Sequence, residues 1–594
     1  MHGDGPRAPR PRVRYNLRCV CLSCVFCINV LVLPVEVYMY EVSPFVRASF
    51  RALPSFPAAF DPHADPAGYI PLFQSLYNHT TDSMYSHDRT NVLDIVRSTL
   101  VRNLSHCDAP SSILHTHVGA FYFPQDLQDD LATLTCSMPS TNGIARTWHF
   151  QLFGSFTSTS VAWLDPNSAT NHDSLLTYLF IPMHHAMPWL LTKLAGRVIM
   201  TCFLVHMAMR HYYRHIWHLH RSLLSHGVHD GSTAVRFEIF VGEPTPILVS
   251  HPLVCLFFIL DIWTSAEYVG LACLRVSQVS NLDCFCLGLL FFGRMMWFSV
   301  AVLLAMNILV KRRRARFAFR SVDTMTLTVL AAVLGTAATY VQSIAPSMLA
   351  MYTWLINLST VVDDTSGRVV ALDCGYVMAV ASITLGCLPA AVGLLDVLRT
   401  TKKVVTTRLR RLSSHVSSKR SGGEGTTVVD ESPHRSTESM FGYSDFKQRF
   451  SMWFCRNGPT NVDGEFMRSR NETNGRCGGV GMCYGGSAYR LFNLDAAFQT
   501  QSTISQRDTD CFIFGYDATN RLVEVTRVSL VANIDVTRSR HRATSVQPLT
   551  RPMIQQSVST SCAVGRVVIG TRCDIGGFPA TMIRRGINKS PWVA

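Results

Sequence analysis

Four ionisable residues stand where a charge is expensive. Asp261 and Glu267 interrupt one apolar arm, Ile247 to Cys273, Arg294 interrupts the next, Cys284 to Val310, and Arg197 sits in an earlier run centred on Trp189 to Met209. A charge in hydrocarbon costs at least about 2.5 kcal/mol, so such groups turn towards protein and find partners. At about 1.5 Å per residue these residues fall within roughly two helical turns of one depth, with Lys193 close by. Two chemistries suit two acids facing one or two bases at mid-membrane. Pairs that exchange make a proton or substrate path; pairs that hold fix how helices pack.

The other reactive side chains point to less. His211, His215 and His218 share one helical face, but no thiol or carboxylate stands near to complete a metal site. Among Arg210, Tyr212, Tyr213, Arg214 and Trp217 they read as an interfacial anchor, so neither metal nor cofactor is expected. The glycine patch Gly478 to Gly486, with Cys477 and Cys483, has neither a phosphate-binding fingerprint nor zinc spacing. No Walker, kinase, hydrolase-elbow or HExxH pattern occurs, which argues against an enzyme and assigns no catalytic residue.

The elements that would position the four charges are apolar spans. Only 16% of the 594 residues are charged and 48% are hydrophobic, where a soluble chain carries about a quarter charged residues. Six runs are long enough to cross a bilayer: 19–40, read as a retained signal anchor, then 187–209, 247–273, 284–310, 324–344 and 369–398. The net charge of +14 crowds into residues 1–18, the Lys311 to Arg316 patch and everything after Leu398. The positive-inside rule then assigns 1–18, 210–246, 311–323 and 399–594 to the cytoplasm, and 41–186 and 345–368 to the far side. The expected fold is an all-α polytopic membrane protein of six transmembrane helices, with a small α+β extracytoplasmic domain and a largely disordered cytoplasmic tail.

The outer domain is acidic and free of lysine, with sequons at Asn78 and Asn103; a third, Asn357, lies in the 345–368 loop. Cys107 and Cys136 are its only cysteines and are expected to pair in an oxidising compartment. Val92, Leu93, Val96, Leu100 and Leu104 keep helical spacing, Ile113 to Phe123 and Trp148 to Trp163 are strand-like, and Leu175 to Met187 reads as an approach to the second span, kinked by Pro182 and Pro188. Small residues recur every fourth position at Ala331, Gly335 and Thr339 in the fifth span and at Ser382, Gly386 and Ala390 in the sixth. These two faces are expected to meet. Between them, Met348 to Ile356 reads as an interfacial helix rather than a pore loop, because no filter-like glycine pattern accompanies it.

In the tail, Arg399 to Arg411 beside the sixth span is drawn to anionic lipid, at about 1 kcal/mol per cation. Arg410-Arg411-Leu412-Ser413 fits a basophilic kinase, and phosphate on Ser413 would weaken that attraction. Ser413 to Asp445 has little to bury, whereas 511–534 around Asp517-Ala518-Thr519-Asn520 reads as a β-hairpin. One span, a large outer domain and five further spans make a layout loosely similar to polycystin- and mucolipin-type cation channels. That resemblance covers organisation alone; it implies a channel and assigns no residue. The expected partners are the lipid bilayer, anionic headgroups and an unidentified outer ligand, with no role for nucleic acid. The expected function is a plasma-membrane receptor or sensor, with an ion channel or secondary transporter as the alternative.

Overall fold

A computed structural model describes residues 11–46, 85–88, 93–101, 125–136, 145–152, 155–167, 172–182, 187–228, 232–277, 281–313, 321–358, 360–362, 369–372, 383–389, 482–485, 487–494, 496–536, 547–548, 563–574 and 578–594, with a few single positions besides. It is mostly helical, and four of its helices are long and apolar enough to cross a membrane: Leu17–Met39, Met187–His226, Leu282–Lys311 and Thr324–Val341. A fifth crossing exists if Pro252–Trp263 and Tyr268–Val276 count as one span, bent by 78°. Six straight spans are therefore not what the chain builds among its described residues.

Local signals explain where the helices start. Helix α1 (Leu17–Glu36) is capped by Asn16, whose side chain accepts from the Cys19 amide at 3.0 Å. Helix α2 (Gln125–Cys136) puts Leu127, Leu131 and Ala132 into the core shared with the bundle, and α3 (Met187–Ala208) is the second span. A π-helical turn, Met209–Tyr213, joins α3 to α4 (Arg214–His226), so the expected 210–246 loop begins as continued helix as far as His226. The third span breaks into α5 (Thr245–Val249), α6 (Pro252–Trp263) and α7 (Glu267–Val276), with Pro252 in the first turn of α6. The fourth is α8 (Leu282–Arg294), capped by Asn281, and α9 (Met296–Arg313). The fifth is α10 (Thr324–Ile344), followed two residues later by α11 (Pro346–Asn357).

The expected sixth span fares differently. Val369–Leu372 is a strand, and 383–389 is the described helical stretch that follows it. Residue 369 cannot begin a membrane helix because its backbone pairs in parallel with the strand Ala145–Leu152.

Three sheets accompany the helices, the smallest of which orders β13 (Gln547–Pro548), β15 (Phe578–Arg584) and β14 (Arg566–Asp574). A seven-stranded sheet orders β2 (Tyr85–Asp88), β3 (Leu93–Val101), β6 (His172–Pro182), β5 (Ser155–Asn167), β4 (Ala145–Leu152), β9 (Val369–Leu372) and β8 (Thr360–Val362). The helical spacing read at 92–104 is overturned here. Leu-Asp-Ile-Val-Arg-Ser-Thr-Leu-Val is rich in β-branched residues, and β3 pairs along its whole length with β6. The expected kinked approach at 175–187 is that partner strand as far as Pro182, and 183–186 lie outside the described residues.

The second sheet runs β1 (Arg12–Tyr15), β7 (Arg236–Phe240), β11 (Cys511–Tyr516), β12 (Leu522–Leu530) and β10 (Met482–Gly485), with β16 (Trp592–Val593) also on β12. It is built from the N-terminus, the loop after the second span and the tail. The tail from 482 onward is thus folded where described, correcting the expectation of general disorder; residues 399–481 lie outside the described residues. Its β11–β12 hairpin turns at Asp517, whose carboxylate accepts from the amides of Thr519 and Arg521 at 2.8 and 2.9 Å, and Asn520 takes the left-handed φ of 63°. Beneath the sheet, Tyr212, Ile216, Leu219 and Leu223 of the extended second helix pack on Phe237, Ile239, Ile513, Val528 and Trp592.

The small-residue faces make close approaches, but not to each other. A Cβ on Gly335 would stand 2.6 Å from the Phe292 ring of α8, and one on Gly386 2.8 Å from Val302 of α9. Both faces therefore meet the fourth span, because α8–α9 runs between them. Ala331 is fully buried and the Thr339 hydroxyl donates to the Gly335 carbonyl, whereas Ser382 and Ala390 lie outside the described residues.

Candidate functional site

Four non-consecutive segments bring four charges into a closed ring. Arg197 lies ten residues, about 15 Å, into α3. Asp261 sits near the end of α6, Arg294 is the last residue of α8, and Glu41 follows the turn that ends the first span. Arg197 donates from Nη2 to Glu41 Oε2 at 2.7 Å and from Nε to Asp261 Oδ1 at 2.9 Å. Arg294 donates from Nη2 to Asp261 Oδ2 at 2.5 Å and from Nη1 to Glu41 Oε1 at 3.4 Å. Each carboxylate thus bridges both guanidiniums, and the four charges sum to zero.

The ring is dry. Side-chain exposure is 0% for Arg197, 3% for Glu41 and 5% for Asp261 and Arg294, so solvent screens none of these contacts. Arg197 Nη1 and Arg294 Nε are buried without a hydrogen-bond partner. Aromatic faces offset part of that loss: the Arg197 guanidinium lies 4.8 Å from the ring centre of Tyr38, and that of Arg294 lies 5.5 and 5.7 Å from Phe291 and Tyr40.

The helix breaks gather around this ring. Span three is interrupted at Thr264 to Ala266, three residues past Asp261, and fully buried Ser265 in that break accepts from Lys193 Nζ at 2.8 Å. Span four is interrupted at Met295, immediately after Arg294. Broken helices at membrane depth survive only where protein shields them, and here the ring adjoins both interruptions through Asp261 and Arg294, with Lys193 at the first.

Three of the four residues singled out from the sequence, Asp261, Arg294 and Arg197, therefore meet. Glu267 opens α7 on the far side of the break, and its side chain lies outside the described residues. Glu41 was missed. It stands at the end of an apolar run, in a position that reads as an ordinary span boundary, and only the packing of α1 against α3 brings it inward.

A second buried cluster lies in the tail. Arg527 Nε donates to Asp510 Oδ2 at 2.8 Å, the Tyr489 hydroxyl donates to the same oxygen, and the Arg527 guanidinium stacks 4.1 Å from the Tyr489 ring. Burial pushes the Asp510 carboxyl up, and Arg527 opposes that shift.

No protein-family model, curated protein or solved structure matches this chain.

The tail is held against the helix ends by polar contacts. Asn307 Oδ1 accepts from the Ser502 amide and hydroxyl at 2.9 and 2.8 Å, and the Thr503 hydroxyl donates to the Leu303 carbonyl at 2.8 Å. Val322, just before α10, exchanges backbone hydrogen bonds with Thr503 and Ser505. Tyr212, turned inward at the π-helical turn, donates to the Thr509 carbonyl at 3.1 Å. Lys311, read from the sequence as the start of a basic cytoplasmic patch, pairs with Asp535 at 2.8 Å.

The remaining predicted positions divide simply. Cys136 is disulfide-bonded, while Cys107, Asn78, Asn103 and Ser413 lie outside the described residues. Asn357 is exposed, and its Oδ1 accepts from the Gln125 amide at 2.9 Å, at the start of α2. His215 offers its backbone carbonyl to the Trp592 indole at 2.8 Å, and among the described residues no group of three potential ligands could hold a metal ion.

Proposed function

We propose that this chain is a non-enzymatic, multi-pass membrane protein of the receptor or sensor type, in which the bundle links an outer sheet to an inner, tail-built sheet. One observation carries the reading. The inner sheet draws neighbouring strands from the N-terminus, from the segment between spans two and three, and from the tail. Any shift of span one or two must therefore move β1 or β7 and, through β11, the rest of the tail module. The basic termini favour placing this sheet in the cytoplasm and the sequons favour placing the other sheet outside, at the plasma membrane. Exposed Arg210, Arg214, Trp217 and Arg221 on the outward face of α3–α4 suit anionic lipid headgroups. The outer ligand is a molecule recognised by the seven-stranded domain.

The deciding experiment has two arms. Enzymatic deglycosylation of the full-length protein, with Asn78, Asn103 and Asn357 changed singly to Gln, reports which sheet faces the lumen. Cysteine-specific crosslinks between the inner sheet and the helix ends, measured with and without candidate ligands, report coupling. Glycans that map to neither outer segment, or crosslinks indifferent to every ligand that binds, defeat the proposal.

A second reading, a channel or carrier, is favoured by the broken third span beside the charge ring. In proteoliposomes, Asp261→Asn combined with Arg294→Gln would abolish flux under that reading and leave ligand binding intact under the first.

A further inference from the structure

Helix α11 has a face that no other element covers among the described residues. Met351, Trp354 and Leu358 at its end recur at three- and four-residue spacing and are 43%, 60% and 50% exposed. The opposite face, Leu349, Thr353 and Ile356, is buried, with the Thr353 hydroxyl accepting from Gln128 of α2 at 2.6 Å. The position of this helix is tightly bounded. Span five ends at Ile344 and α11 begins at Pro346, so the stripe cannot stand away from the membrane surface. The Tyr352 hydroxyl also donates to the Ala338 carbonyl of α10 at 2.7 Å. Ala338 lies six residues, about 9 Å, back along the span from its end, so the middle of α11 is folded down beside the last turns of that span.

We infer that α11 is an in-plane helix immersed in the outer leaflet, and that it docks the seven-stranded domain on the lipid surface. An amphipathic helix of this kind sits about 5–10 Å into the headgroup and acyl boundary, a depth at which the Tyr352–Ala338 contact beside the end of α10 is readily made. The stretch Pro346–Asn357 contains no charged residue. Its partner is therefore the apolar and zwitterionic boundary of a phosphatidylcholine leaflet, bound without a contribution from anionic lipid. The upper face transmits that position to the outer domain. Gln128 and the Gln125 amide of α2 hydrogen-bond to Thr353 and Asn357, and the chain continues into β8 and β9 of the outer sheet. A change in leaflet thickness or packing would reach that domain through α11.

This inference rests on the membrane reading of α10, and the test separates the two. The full-length, unmodified chain is placed in phosphatidylcholine nanodiscs containing a photoactivatable phosphatidylcholine, and the labelled peptides are mapped by mass spectrometry. Labelling is expected on the exposed α10 positions Met325, Val329 and Val333, and several-fold above background on Met351, Trp354 and Leu358. Exposed Asp126 of α2 should stay at background. In parallel, Trp354→benzoylphenylalanine should give a lipid adduct of equal yield with and without phosphatidylserine. Labelled α10 with unlabelled α11 overturns the docking proposal alone, and unlabelled α10 overturns the membrane reading beneath it. A phosphatidylserine requirement, or a photoadduct at position 354 to protein instead of lipid, equally overturns it.

Discussion

Removing Arg294 tests the ring most directly. Arg294→Met takes away the 2.5 Å contact to Asp261 and the 3.4 Å contact to Glu41 while Arg197 keeps its contacts of 2.7 and 2.9 Å. The ring then carries two carboxylates against one guanidinium, a net charge of −1 at sites no more than 5% exposed. Breaking a buried pair from one side costs about 3–5 kcal/mol, roughly two to four decades in the folding equilibrium. Asp261→Asn leaves a charge of +1 and should cost a similar amount. The double variant restores neutrality with the Arg197–Glu41 pair intact. Its cost should therefore fall short of the sum of the singles by about 2 kcal/mol or more, as contacting residues couple. The assay is reversible unfolding of the full-length protein in a mild detergent or bicelle, with thermal inactivation of a tail–bundle crosslink as a second readout. Single variants as stable as the parent, or a strictly additive double, would refute a closed charge ring.

Three further outcomes follow from other parts of the structure. Gly335→Ala drives a methyl group into the Phe292 ring, 2.6 Å away, and should cost about 1–3 kcal/mol, read as a lower midpoint of thermal unfolding. Asn307→Ala removes the acceptor for Ser502 and should raise the rate at which a protease cleaves between 496 and 536, with the seven-stranded sheet unaffected. Burial pushes the Cys511 thiol up to about 12, so its peptide should resist alkylation at pH 8 until the tail unfolds. Because the folded value lies above the unfolded one, this thiol contributes stability that is complete below about pH 9 and lost as pH rises towards 12. Maleimide labelling followed by peptide mapping checks both statements.

What the sequence by itself determined is that the chain carries helices long and apolar enough for a membrane. Apolar runs, basic flanks and three of the four ring charges are local properties, readable because hydrocarbon tolerates so few alternatives. The β11–β12 hairpin was legible for the same reason: two runs of apolar and β-branched residues and the Asp517 to Asn520 turn between them are local in the chain. Tertiary structure decided the rest. Glu41 joins the ring only because α1 packs on α3, which no spacing along the chain announces. The bend after Asp261 was hidden, since a broken span has the same apolar composition as a straight one. Val369–Leu372 is apolar enough to begin a helix, yet β4 captures it through backbone hydrogen bonds contributed by residues more than two hundred positions away. Likewise the tail reads as polar and loosely composed until β1 and β7 supply neighbouring strands. Burial of that sheet is a property of three separate segments brought together, and no one of them contains it.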